Sequence, residues 1–148
     1  MTNIAQRSAV TTWEGSLGGG RGSIASDSGT LRGLRVSWAG RTGQPGGLTS
    51  PEELLAAAHS SCFAMALALR LGEAHAAPRR LKVAAVVALE DVDGVPTIAS
   101  SQIVVRAQVD GLNADKFQKI VDEAAALCPV SRLFAGAHIS VEAVLEPS

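Results

Sequence analysis

Residues 49–72 read TSPEELLAAAHSSCFAMALALRLG, and this stretch decides the fold. Thr49 or Ser50 can cap a helix, Pro51 suits its first turn, and Glu52 and Glu53 complement the positive end of its dipole. Apolar residues then occupy nearly every side of the predicted helix as far as Leu71, and Gly72 is placed to end it. A helix that is apolar almost all round belongs at the buried centre of a fold. The run from Leu54 to Leu69 is interrupted by His59, Ser60 and Ser61 and closed by Arg70. It falls short of the about 20 residues a membrane span needs, which predicts the core helix of a soluble protein with no membrane partner.

On the N-terminal side, Thr11 to Trp13 is β-prone and Gly18 to Gly20 forms a loop. Ser23 to Ser26 and Leu31 to Trp38 alternate as half-buried strands do, with Asp27-Ser28-Gly29 as the turn between them. Ala39 to Leu48, with four glycines and a proline, reads as a loop. On the C-terminal side, Arg80 to Glu90 and Ile98 to Val109 are β-rich and turn near Asp93-Gly94. A second helix is expected from about Asn113, a candidate cap, to about Leu127, where Cys128-Pro129 ends or kinks it. His138 to Leu145 is a last strand. Three strands, a helix, two strands, a helix and a strand argue for an α+β fold with a mostly antiparallel sheet.

The 148 residues fit a single domain over 1–148. Apolar residues at 47% and charged residues at 18% give a globular balance. With a net charge of −1 and no basic patch, no nucleic-acid partner is expected. Met1 to Val10 lacks the apolar core of a signal peptide, so a cytoplasmic location is expected. Two cysteines are too few for a disulfide framework; in the cytosol they rest as thiols, and a bond between them would be transient and catalytic.

Those two cysteines are the first candidates for chemistry. Cys62 lies mid-helix, where a buried structural thiol is the commonplace alternative to a reactive one. If Pro129 opens a new helical turn, Cys128 stands at that turn's N-terminus, a position that favours a thiolate; a simple helix stop explains it equally well. His59, three residues before Cys62 on the same face, either assists the thiol or is a core histidine bonded to backbone. Glu52 precedes Cys62 by ten residues, about 15 Å along a helix, so it cannot reach its own Cys62 directly. If both belong to one site, either the helix bends or a second chain supplies one of them; otherwise Glu52 is a plain first-turn charge, the reading that spacing alone favours. Arg21 and Arg41 sit in glycine-rich loops, where arginines are usually solvated but where a guanidinium facing a thiolate could activate it and hold a peroxide oxygen.

Together, Thr12-Trp13-Glu14-Gly15, the stretch from Thr49 to Leu67 and Cys128-Pro129-Val130-Ser131 resemble the OsmC/Ohr family of hydroperoxide reductases, over nearly the whole chain. The Trp-Glu-Gly start, the Pro-Glu-Glu-Leu-Leu helix and the histidine before the cysteine resemble the OsmC branch more than the Ohr branch. The resemblance implies an intertwined α+β homodimer with a long central helix and active sites at the subunit interface. It places Cys62 on the peroxide-attacking cysteine, Cys128 on the resolving cysteine and Glu52 on the glutamate that orients a catalytic arginine. Arg41 matches that arginine by its distance to Pro51; Arg21 matches the Ohr-branch position, and Arg35 is a third candidate.

The implied activity is a two-cysteine, thiol-dependent peroxidase acting in oxidative and osmotic stress defence. Cys62 would attack the O–O bond, become a sulfenic acid, and condense with Cys128 to a disulfide that an external dithiol reduces, with no separate cofactor. Phe63, Met65 and Leu67 suggest an apolar pocket, hence organic hydroperoxides ahead of hydrogen peroxide. Two rival readings stand beside this one. Cys62, Cys128 and His59 with His75 or His138 could form a zinc set, although the spacing matches no zinc motif. A non-catalytic binding protein for a small apolar ligand, with inert thiols, would also suit the apolar helix. A thioredoxin-like reductase would need a C-x-x-C that the sequence lacks.

Overall fold

Alternating β-prone residues and glycine-bearing turns build a three-stranded antiparallel sheet within the first 51 residues. The computed structural model describes residues 1–147; the end of the expected domain, Ser148, lies outside them. The chain divides into two compact units, Met1–Pro51 and Glu52–Ser148. In the first, β1 (Ala9–Glu14), β2 (Arg21–Ser26) and β3 (Leu34–Val36) lie side by side in chain order. Trp13 pairs with Gly22 across β1 and β2, and a Cβ at Gly22 would stand 2.9 Å from the Trp13 ring and 2.7 Å from Val36. Only glycine admits that close approach.

The expected loop after β3 holds a short helix, α1 (Trp38–Thr42), at its start. Ser37 caps it by accepting the Gly40 N–H at 3.0 Å. The helix is a single turn, too short to show against the glycines and proline of 39–48.

In the second unit, α2 runs Pro51–Glu73, two residues beyond the expected end. Gly72 does not stop it. The stop is a Schellman arrangement in which Ala76 N–H donates to the Leu71 carbonyl and His75 N–H to that of Gly72, with His75 at φ 56°. Only one stripe of α2 is buried, comprising His59, Phe63, Leu67 and Leu71 at a spacing of four; Met65 and Leu69 are exposed. The all-round burial expected from composition is therefore replaced, in this chain, by a one-sided core contact.

The strands β4 (Arg80–Val92) and β5 (Val95–Gln108) form a long hairpin closed at Asp93 and Gly94, both at positive φ as a two-residue type I′ turn requires. α3 (Ala114–Leu127) is capped by Asn113, whose side chain accepts the Lys116 N–H at 2.8 Å, a contact worth about 1 kcal/mol. α4 (Pro129–Leu133) follows, and β6 (His138–Leu145) returns to pair with β5. That last pairing is parallel, the one departure from an antiparallel arrangement among the described residues.

Phe63, Leu67 and Leu71 of α2, Ile103, Val105 and Ala107 of β5, and Phe117, Val121 and Ala124 of α3 form one buried cluster, joined by Cys128. By length and composition α2 would pass for a membrane span. Its fully buried Phe63, Leu67 and Leu71 make it the core helix of this unit.

Candidate active site

α2 carries Cys62 on the side next to its buried stripe, and α3 ends where Pro129 removes the next backbone donor. Cys128 thereby closes α3 and opens α4 at once. It is fully buried, whereas Cys62 is partly exposed, and both are free thiols. Although 66 positions separate them (128 minus 62), the fold brings their side chains within hydrogen-bonding reach of each other. The Val130 N–H donates to the Cys62 sulfur. Burial pushes the Cys62 thiol above its ordinary value, the Val130 N–H pulls it down, and the adjoining Cys128 adds to the upward push.

Cys62 opens onto a groove of about 330 Å³ lined by Met65, Ala66, Leu69, Arg70, Leu127 and Pro129. The groove is apolar as expected, but Phe63 and Leu67 face the core and take no part in it. Arg70, at its far end, is paired with Glu73 at 2.7 Å and with Glu123 at 2.8 Å, which ties α2 to α3.

His59 is fully buried one turn before Cys62. It does not bond to backbone, as a core histidine was expected to. Its Nδ1 is hydrogen-bonded to Ser101 Oγ of β5 at 2.5 Å and its Nε2 to Ser131 Oγ of α4 at 2.8 Å. Its ring meets Phe134 edge-on at 5.2 Å between centroids. Burial holds the imidazole below its usual pKa, hence neutral, so one serine donates to the ring and the other accepts. Among the described residues, no group of three or more His, Cys, Asp or Glu side chains is placed to hold a metal.

Glu52 and Glu53 lie in the first turn of α2, ten and nine residues before Cys62. Arg41 lies in the last turn of α1, its guanidinium 5.9 Å from the Trp38 ring centroid. It lines a small apolar cleft of about 100 Å³ with Trp13, Leu17, Val36, Trp38 and Pro51. Arg21 is on β2, paired in register with Glu14, and lines a different cleft together with Arg35. The two candidate arginines therefore serve separate surfaces of the N-terminal unit.

Ser101 and Ser131 went unnoticed as partners in the sequence. Ser101 had a signal: it shares the core-facing register of Ile103, Val105 and Ala107, where a hydroxyl must find a buried partner. Ser131 stood within the quoted Cys-Pro-Val-Ser motif without a role.

A family model described as OsmC-like protein matches residues 43–144. The chain is 38% identical over 125 residues to the peroxiredoxin OsmC of Escherichia coli strain K12, covering 82% of this chain and 84% of that one. It is similar in structure to an organic hydroperoxide resistance protein from Elizabethkingia anophelis, with TM-score 0.75, 25% identity and full coverage of both chains. It is also similar to the organic hydroperoxide resistance protein OhrB of Bacillus subtilis, with TM-score 0.63 and 26% identity, covering 94% of this chain and 98% of the other.

Proposed function

The chain belongs to the OsmC-like protein family, and from that premise we infer that it reduces hydroperoxides with Cys62 as the attacking sulfur and Cys128 as its resolving partner. Its activity is that of a hydroperoxide reductase, a thiol peroxidase. The observation that carries the residue assignment is the juxtaposition of two free thiols, one partly exposed beside an apolar groove and one buried behind it. The accessible sulfur meets the peroxide; the buried one is reached only by Cys62.

In the first step the Cys62 thiolate attacks one peroxide oxygen, the O–O bond breaks, and the departing alkoxide takes a proton to leave as an alcohol. The sulfur is left as a sulfenic acid. Cys128 then displaces its hydroxyl as water, giving the Cys62–Cys128 disulfide, which two thiols of an external dithiol reduce by exchange. The apolar lining of Met65, Leu69 and Leu127 favours an organic hydroperoxide.

A partly exposed thiol whose pKa is pushed up needs a positive charge beside it to react as a thiolate. We assign that charge to Arg41, oriented by Glu52. The apolar, tryptophan-lined setting of Arg41 supports that choice. Residues 1–148 act as one functional domain, in the cytoplasm, where free thiols persist.

The protein works as a homodimer. Met65 at 69% exposure and Leu69 at 60%, with Leu127 and Leu133 of the same unit also exposed, leave an apolar face that a second copy would border, which puts the peroxide groove at the subunit boundary. Light scattering on purified protein is expected to give twice the chain mass, and Leu69→Glu to shift it toward the monomer. A monomeric wild type would remove the dimer from the account.

The reading is tested by steady-state consumption of cumene hydroperoxide with dithiothreitol as reductant. Wild type is expected to turn over many times, whereas Cys128→Ser, lacking the resolving thiol, reacts once rapidly and then slows as its sulfenic acid overoxidises. No consumption by the wild type would return the inert-thiol binding reading to the front.

A further inference from the structure

α4 is docked on α2 at two points three residues apart. At the first, the opening turn of α4 presents the Cys128 thiol and the Val130 N–H to Cys62. At the second, Ser131 of the same turn meets His59, one helical turn before Cys62. His59 and Cys62 share a face of α2, so the two contacts fix both the position of α4 along that helix and its rotation. The far side of the imidazole is held by Ser101 of β5, a rigid strand at the centre of its sheet.

We propose that His59 is a positioning residue that, through Ser131, holds Cys128 in register with Cys62 and so sets the rate at which the sulfenic acid is resolved. The proposal rests on the two-cysteine reading above and gives a role to a buried group that the chemical steps do not use. Condensation forms one S–S bond and breaks one S–O bond; the sulfenic hydroxyl leaves with the Cys128 proton as water. It needs the Cys128 sulfur in line with the S–O bond, and a small displacement of α4 misaligns it. Attack on the peroxide needs only Cys62 and its cation, and α4 register bears on it less.

A structural role alone would make the two serines equivalent, since each supplies one buried hydrogen bond to the same ring. The positioning role separates them. Ser131→Ala frees α4 from the ring, whereas Ser101→Ala leaves the His59–Ser131 contact in place. Similarly, a glutamine at position 59 can carry its amide to the place of Nε2 and keep Ser131, whereas an asparagine reaches only toward Ser101.

The test mixes reduced protein with one equivalent of cumene hydroperoxide, follows sulfenic acid by dimedone trapping and mass spectrometry, and records each variant's thermal midpoint. Ser131→Ala is expected to form sulfenic acid at the wild-type rate but to resolve it about tenfold more slowly, the equivalent of one lost buried hydrogen bond. Ser101→Ala should lose comparable thermal stability yet resolve at the wild-type rate. His59→Gln should stay close to wild type, and His59→Asn should behave like Ser131→Ala. Equal slowing in both serine variants, or unchanged resolution in Ser131→Ala beside a wild type that forms the disulfide, overturns the positioning role alone. A wild type that forms no disulfide overturns the two-cysteine reading and this inference with it.

Discussion

Cys62→Ser is expected to lower kcat/KM for an organic hydroperoxide by roughly three orders of magnitude or more, the scale seen when a covalent nucleophile is removed. The hydroxyl is nearly the shape of the thiol, so the Val130 N–H and the neighbouring Phe63 and Ala66 lose little packing. What is lost is chemistry. A serine is not appreciably ionised near neutral pH, and it offers no sulfur to take the peroxide oxygen and pass through a sulfenic acid. Peroxide consumption measured beside the melting temperature separates the two effects: a folded variant with residual activity near background is expected. A folded Cys62→Ser retaining more than about a tenth of the wild-type rate would mean that another group attacks the peroxide.

The second large effect is expected at Arg41. Replacing a preorganised cation that stabilises developing oxygen charge costs about 10²- to 10³-fold, and Arg41→Ala is predicted to fall in that range. The pH dependence supplies the sign. Burial raises the Cys62 thiol's pKa, and the guanidinium we assign to it would lower that value by favouring the thiolate. Without the cation the folded protein reaches the thiolate only at higher pH. Arg41→Ala should therefore lose most activity near neutrality and recover part of it as pH rises, its ascending limb displaced to the alkaline side. Arg41→Lys keeps the charge but not the fork of donors, and should lie between the two. Arg21→Ala should change little. The reverse ranking, with Arg21→Ala impaired and Arg41→Ala active, would move the assignment to the other cleft.

Much of the fold was legible because its signals are local. The acidic, proline-marked start of α2, the Asn113 cap, the Asp93-Gly94 turn and the Cys128-Pro129 break each act through neighbouring backbone, and each lies where the sequence placed it. The misreadings are cases where tertiary context decides. α2 looked apolar all round, but only the residues facing β5 and α3 are buried, which no periodicity in so uniform a run could single out. Its end was assigned to Gly72, whereas the positive φ falls on His75, because Ala76 packs into the core beside Leu71. The parallel return of β6 beside β5 is a matter of topology that strand propensity does not encode.

The site divides in the same way. Cys62 and Cys128 were found as residue types, and their motifs carried the family resemblance; that the two meet depends on the route of the chain through α3 and α4. His59 was noticed for its spacing from Cys62, but its serine partners come from residues 42 and 72 positions away. Such contacts leave no local pattern beyond a hydroxyl in a core-facing register.

The central claim is that peroxide oxidises Cys62 and that Cys128 then closes on it. The direct measurement is a thiol titration and non-reducing peptide map of reduced protein after one equivalent of cumene hydroperoxide. Loss of both thiols with a single Cys62–Cys128 linkage, and retention of the remaining Cys128 thiol in Cys62→Ser, is the predicted result. Two free thiols surviving in the wild type would contradict it.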